Sequence, residues 1–136
     1  MHGPMQRSWC KDGVCDLRPM GVIEDRVQLE PGHYVSIFIS ERSLDPPGYS
    51  EVMERMMEEA QKMEGYLGFE SLRDGRDGVF MSYWQDLACV NAWAAHVGHR
   101  QAKERGVNEW YDAYRMVLCK VGRTRWFRRA VSPRSA

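Results

Sequence analysis

The sequence predicts an α+β fold in which a four-stranded antiparallel sheet carries two helices on one face. Three observations lead there. Val35, Ile37 and Ile39 alternate along one run; apolar residues recur at helical spacing from Tyr49 to Met63 and again from Leu87 to Val97; and two aromatic-rich runs flank the short turn Asp74-Gly75-Arg76-Asp77. Their order is strand, helix, strand, strand, helix, strand. Because crossovers within one sheet are right-handed, both helices then fall on the same side, the ferredoxin-like βαββαβ arrangement.

Residues 1–32 show no periodicity and hold Pro4, Pro19 and Pro31, so they read as an extended or partly disordered lead-in. The first strand is expected over His33–Ser40, apolar on both faces. Asp45-Pro46-Pro47-Gly48 breaks it, and a proline presets the φ of an entering helix without removing a needed hydrogen bond. In that helix Tyr49, Val52, Met53, Met56, Ala60 and Met63 oppose Glu51, Glu54, Glu58, Glu59 and Lys62, and Gly65 supplies a left-handed cap. Tyr66–Arg73 and Gly78–Trp84 are expected to pair through the Gly-containing turn. A second amphipathic helix is expected from Asp86, its cap, to about Glu104, on the apolar residues Leu87, Val90, Trp93, Ala94 and Val97, with Gly106 closing it. Trp110–Val121 completes the sheet. The folded domain is thus placed at residues 33–127 and a basic tail at 128–136. From Lys120 onward Arg123, Arg125, Arg128, Arg129 and Arg134 stand without an acid, either as a solvated arm or reaching the acidic first helix of a second copy.

Composition narrows the function classes. A chain of 136 residues, 43% hydrophobic and 28% charged, suits one domain. Lys+Arg equals Asp+Glu at 19 each, without the basic excess that nucleic-acid binding requires. No stretch of about 18 apolar residues exists to engage a membrane, and Arg7, Lys11, Asp12, Asp16 and Arg18 stand where a signal core would be apolar, so a cytoplasmic protein is expected. Cys10, Cys15, Cys89 and Cys119 are too sparse for a disulfide scaffold, and the spacing of Cys10, Cys15, His2 and His33 matches no metal site. Gly65, Gly68, Gly75 and Gly78 punctuate a hairpin and precede no helix, so no phosphate cradle and no nucleotide cofactor are expected.

Both faces of the strands are apolar, as in Ile37 beside Phe38, Leu67 near Phe69 and Tyr83 beside Trp84, yet the helices cover one face. Two copies packed sheet to sheet would cover the other, which predicts a homodimer. On a continuous second helix, Trp93, His96, His99, Arg100 and Lys103 share one side. An imidazole there is suited to accept a proton near neutral pH or to ligate iron, or it is a plain surface residue. Trp84, Trp93, Trp110 and Tyr83 offer flat walls for a planar ligand, or pack the core.

From His33 to Val121 the chain resembles the antibiotic biosynthesis monooxygenase family. The residues that carry the likeness are Gly65-Tyr66-Leu67-Gly68 entering a strand, Tyr83-Trp84 ending the next, Trp93 followed by His96 and His99, then Gly106, Trp110-Tyr111 and Tyr114. The resemblance implies a dimeric α+β barrel. It also implies one of several activities, since the family holds cofactor-independent oxygenases of aromatic polyketides, haem-degrading enzymes and members of no known activity. The haem-degrading branch joins an Asn from the first strand to a Trp and a His from the second helix. Trp93 matches that Trp, whereas Ser40 and Lys103 stand where the Asn and His would.

Three readings follow. In the first, a monooxygenase holds a flat aromatic or quinol-like substrate between the sheet and the second helix without a cofactor. His96 or His99 accepts the proton, Trp84, Trp93, Tyr83 and Trp110 line the substrate, and Arg100 balances its charge. In the second, His99 or His96 is the axial ligand of a haem, with the helix kinked at Gly98. In the third, the protein is a non-catalytic dimeric module that binds a small apolar ligand.

Overall fold

The computed structural model describes residues 21–130. Its strands are β1 (Tyr34–Arg42), β2 (Tyr66–Asp74), β3 (Asp77–Trp84) and β4 (Tyr111–Lys120), and they form one antiparallel sheet in the order β2-β3-β1-β4. The helices are α1 (Tyr49–Gln61), α2 (Leu87–Ala95) and α3 (Val97–Arg105), followed by a π-helical turn at Gly106–Trp110. The ferredoxin-like α+β fold is the one that the alternation and the element order predict.

Register fixes which side chains meet the helices. Tyr34 pairs with Trp84, Phe38 with Phe80 and Ser40 with Gly78, and all of these face the helix layer. Val35 with Tyr83, Ile37 with Met81 and Ile39 with Val79 face the other way. The helix-side core joins Tyr49, Val52, Met56, Met57 and Ala60 of α1 to Trp84, Val90, Trp93 and Trp110. Trp84 is wholly buried, and its indole N–H donates to Ser82 Oγ at 3.0 Å, so the one polar atom of the ring is satisfied.

Three features depart from the sequence reading. The second helix is two helices: His96 has extended backbone (φ −61°, ψ 134°), so α2 stops at Ala95 and α3 starts at Val97. The break falls at His96 rather than at Gly98. The last strand begins at Tyr111, because Trp110 belongs to the π-helical turn. The described part of the lead-in, 21–32, is tied to the domain. Gly32 N donates to Val121 O and Glu24 N to a Glu70 carboxylate oxygen, each at 2.8 Å, while Val27 packs at Gly68 on the face away from the helices. The start of the tail returns to this lead-in of its own chain, where Arg128 Nε donates to Asp25 at 2.8 Å. Cys10, Cys15, His2 and Arg134 lie outside the described residues.

Candidate functional site

The helix break builds a site around Trp93. In a continuous helix the Trp93 carbonyl would be taken by the amide four residues on. Here it accepts from His96 N at 3.0 Å and meets His99 Nδ1 at 3.1 Å. The His96 side chain caps α3, its Nδ1 accepting from His99 N at 3.3 Å, and its Nε2 lies 3.6 Å from Glu59 on α1. Gly98 lets the two helices approach: a Cβ there would stand 3.2 Å from both Met56 Cε and His96 Cε1.

A carbonyl can only accept, so His99 Nδ1 carries the proton and Nε2 is left as the acceptor nitrogen. Nε2 has no hydrogen-bond partner among the described residues. The His99 ring stacks on the Trp93 indole at 4.6 Å with the planes 13° apart, and Trp93 in turn stacks on Trp84 at 6.1 Å. Burial disfavours the imidazolium and pushes the His99 pKa down to about 4, with the bond to Trp93 O opposing and Lys103 and His96 assisting. At neutral pH His99 is therefore an uncharged, oriented base.

Trp84, Trp93, His96 and His99 are thus brought together. Tyr83 is not among them: it faces the opposite side of the sheet, where its hydroxyl donates to Glu70 at 2.6 Å and where burial, reinforced by that carboxylate, raises its pKa. Trp110 packs on Tyr49 at 5.1 Å and donates to Pro47 O at 2.9 Å, beside the Arg42 end of β1 and far from Trp84 at the Tyr34 end. Arg100 is exposed. Ser40 also lies towards the Arg42 end of β1, so it cannot stand beside Trp93 as the haem-degrading pattern would require. Glu59 was not singled out by the sequence, because its place opposite the apolar stripe of α1 reads as solvent-facing; only the packing of α3 reveals its contact with His96.

The space between the sheet and α2, expected to hold substrate, is filled by Trp84 and Trp93 themselves. A cavity of about 350 Å³ opens instead between α1 and α3. Val52, Met56, Gly98 and Ala102 line it, with Arg55, Gln101 and Arg105 among its polar contacts. Gly98, a lining residue, touches His96 and directly precedes His99. The Asp86 carboxylate beside Cys89 pushes its thiol pKa up, which disfavours the thiolate. No helix among the described residues is long and apolar enough to cross a membrane, and no three His, Cys, Asp or Glu side chains there converge as a metal site.

Comparison with known proteins bears on the family and the fold. The family model described as "Antibiotic biosynthesis monooxygenase" matches residues 47–105, from the entry of α1 to the end of α3. An uncharacterised Bacillus subtilis protein, YqjZ, is 43% identical over 100 residues, spanning 72% of this chain and 87% of that protein. Among solved structures, SnoaB, a cofactor-independent oxygenase from Streptomyces nogalater, superposes with a TM-score of 0.59 at 14% identity, over 68% of this chain and 96% of its own. Rv0793 from Mycobacterium tuberculosis gives 0.60 at 6% identity, over 68% and 97%. These two likenesses are likenesses of fold.

Proposed function

Because the chain belongs to the antibiotic biosynthesis monooxygenase family, we propose that it oxidises a flat, electron-rich aromatic or quinol-like substrate with dioxygen and without a nucleotide cofactor. One observation carries this reading: His99 is a neutral imidazole, held by its Nδ1 proton and by the Trp93 stack, with Nε2 left without a hydrogen-bond partner among the described residues. The α1–α3 cavity, at the lower end of the range for small-molecule sites, is lined by Gly98, the residue before His99, and in this proposal the substrate reaches the base from that side.

His99 Nε2 takes the proton of the substrate hydroxyl. The ring anion then gives one electron to dioxygen, the radical pair joins as a peroxide on a ring carbon, and loss of water leaves the quinone. One oxygen atom stays on carbon, the other leaves as water, and the substrate loses two hydrogens in all. The low basicity of His99 is relieved as the reaction proceeds, since the anion it creates stabilises the imidazolium. Trp93 holds the base in place, and the buried aromatic layer keeps water from the ion pair.

Oxygen uptake with a panel of polycyclic phenols tests this. His99→Ala is expected to lower turnover at least about 100-fold with the circular dichroism spectrum unchanged. Undiminished turnover would reject His99 as the base, and no uptake with any phenol would reject the substrate class.

Haem, the alternative cofactor, fits these residues poorly. Both His96 nitrogens are engaged, by His99 N–H and by Glu59, which leaves only His99 Nε2 as an axial ligand, and neither Ser40 nor the exposed Lys103 completes the expected set around it. A haemin titration without a Soret shift is the expected result. A homodimer is inferred from the sheet face away from the helices, where Ile39, Leu72 and Val117 remain exposed beyond the reach of the lead-in. A monomeric mass in solution light scattering would overturn that part.

A further inference from the structure

The cavity between α1 and α3 receives one ordered face from each helix. Val52, Arg55 and Met56 line it from α1, and Gly98, Gln101, Ala102 and Arg105 from α3. Residues three and four apart are neighbours on a helix surface, so each set is a single stripe. Within the stripes the apolar and small members lie deep and the long polar ones stand at the rim. Val52 and Met56 are buried and Gly98 and Ala102 half-buried, whereas Arg55 and Gln101 are exposed. The room comes from the small residues of α3, since a Cβ on Gly98 would already stand 3.2 Å from Met56 Cε.

The two arginines of the rim are held differently. Arg105 is engaged: its Nε and Nη2 donate to the Glu109 carboxylate at 3.2 and 3.3 Å, and Nη2 also donates to Pro47 O at 3.3 Å. Arg55 makes no hydrogen bond and no ion pair among the described residues. The carboxylate one turn further along α1 does not serve it, because Glu59 is taken by Lys62 at 3.3 Å and faces His96 Nε2 at 3.6 Å. Arg100, expected from the sequence to balance the charge of a substrate, does not line the cavity.

We infer that this groove takes an aromatic acid, with its ring over Gly98 and Ala102 and its carboxylate on the Arg55 guanidinium. The inference rests on the proposed function, which brings substrate to His99 from this side, and it adds the substrate's charge: an anionic group apart from the hydroxyl that reacts. A guanidinium fork matches a carboxylate with two parallel N–H bonds, and the Gln101 amide offers a further donor across the rim. Val52 and Met56 give the ring an apolar floor. A neutral aromatic would leave the one unpaired cation of the rim unused.

Naphthoate is the probe, because it has the ring and the carboxylate but no hydroxyl to be oxidised. With the full chain at low ionic strength, calorimetry is expected to show saturable binding. Naphthamide, its uncharged counterpart, is expected to bind at least about tenfold more weakly. Arg55→Gln, a change on the exposed side of α1, is expected to remove that preference, whereas Arg100→Gln, an equal loss of charge outside the groove, keeps it. Ala102→Leu fills the groove with every charge in place and is expected to weaken both ligands. The inference is overturned if naphthoate does not saturate, if naphthamide binds as tightly, if Arg100→Gln weakens naphthoate as much as Arg55→Gln, or if Ala102→Leu leaves naphthoate binding intact. Arg55-dependent binding of naphthoate together with no oxygen uptake on hydroxynaphthoate would reject the oxygenase reading alone and leave this site in place.

Discussion

Burial of His99 sets a measurable dependence of stability on pH. The ordinary imidazole pKa of 6.5 falls to about 4 in the folded chain, first because of burial. Above about pH 7.5 both folded and unfolded chains hold His99 neutral, and the residue contributes nothing to the pH dependence. As pH falls through 6.5, the unfolded chain binds a proton that the folded chain refuses, so stability is lost on the acid side. Near pH 4 the folded form titrates too and the loss levels off. Each pKa unit corresponds to 1.36 kcal/mol, so the whole separation is worth about 3.4 kcal/mol, of which about 2 kcal/mol is already lost at about pH 5. Urea unfolding of wild type and His99→Gln at about pH 7.5 and about pH 5 isolates this, because carboxylates and the other histidines contribute alike to both proteins. The variant is expected to lose about 2 kcal/mol less than wild type between the two pH values. Equal losses would mean that the imidazole is hydrated in the folded chain and would also remove the basis for its role as an oriented neutral base.

Three further outcomes follow from the same structure. α1 ends at Gln61 with Lys62 as its cap, and not at Gly65 as expected; Gly65 stands in the following turn at φ +80°, where a Cβ would be 2.8 Å from Cys89 Cβ, so Gly65→Ala is expected to destabilise by about 2 kcal/mol or more in urea titration. Trp84→Phe removes the indole that fills the centre of the core and leaves Ser82 without its donor, which should cost about 2–4 kcal/mol and lower the thermal midpoint. His96→Ala removes the cap of α3 and is expected to cost about 1 kcal/mol, with faster amide exchange confined to the first turn of α3.

Periodicity carried the sheet and α1, because each buries one face and register follows from alternation. Alternation also places Tyr83 opposite Trp84, so the sequence itself argues against both lining one pocket. The break at His96 was not legible. Ala94 and Ala95 are strong helix formers, and the apolar spacing continues past them; what stops the helix is the imidazole cap together with the packing of Gly98 against Met56, a tertiary contact. A continuous helix would turn His99, Arg100 and Lys103 the same way as Trp93. The break rolls His99 onto the indole and leaves Arg100 and Lys103 exposed. The meeting of Arg42 and Arg73 at the Tyr49 ring was equally hidden, since the two are far apart in sequence and come together only through the pairing of β1, β3 and β2.

The features that fit His99 for catalysis would also fit a histidine that merely fills space: it is buried, stacked and uncharged. The two roles part when the ring is kept and its nitrogens are removed. In His99→Phe the flat side chain still stacks on Trp93, and the cost of keeping an imidazole neutral at low pH disappears. The change does leave the Trp93 carbonyl with the His96 amide alone. A catalytic His99 predicts a folded variant, with a flatter stability curve below about pH 6 and no oxygen uptake. A space-filling His99 predicts the same flattening with uptake intact. Acid sensitivity therefore reports that the ring is buried, and turnover alone reports what the ring is for.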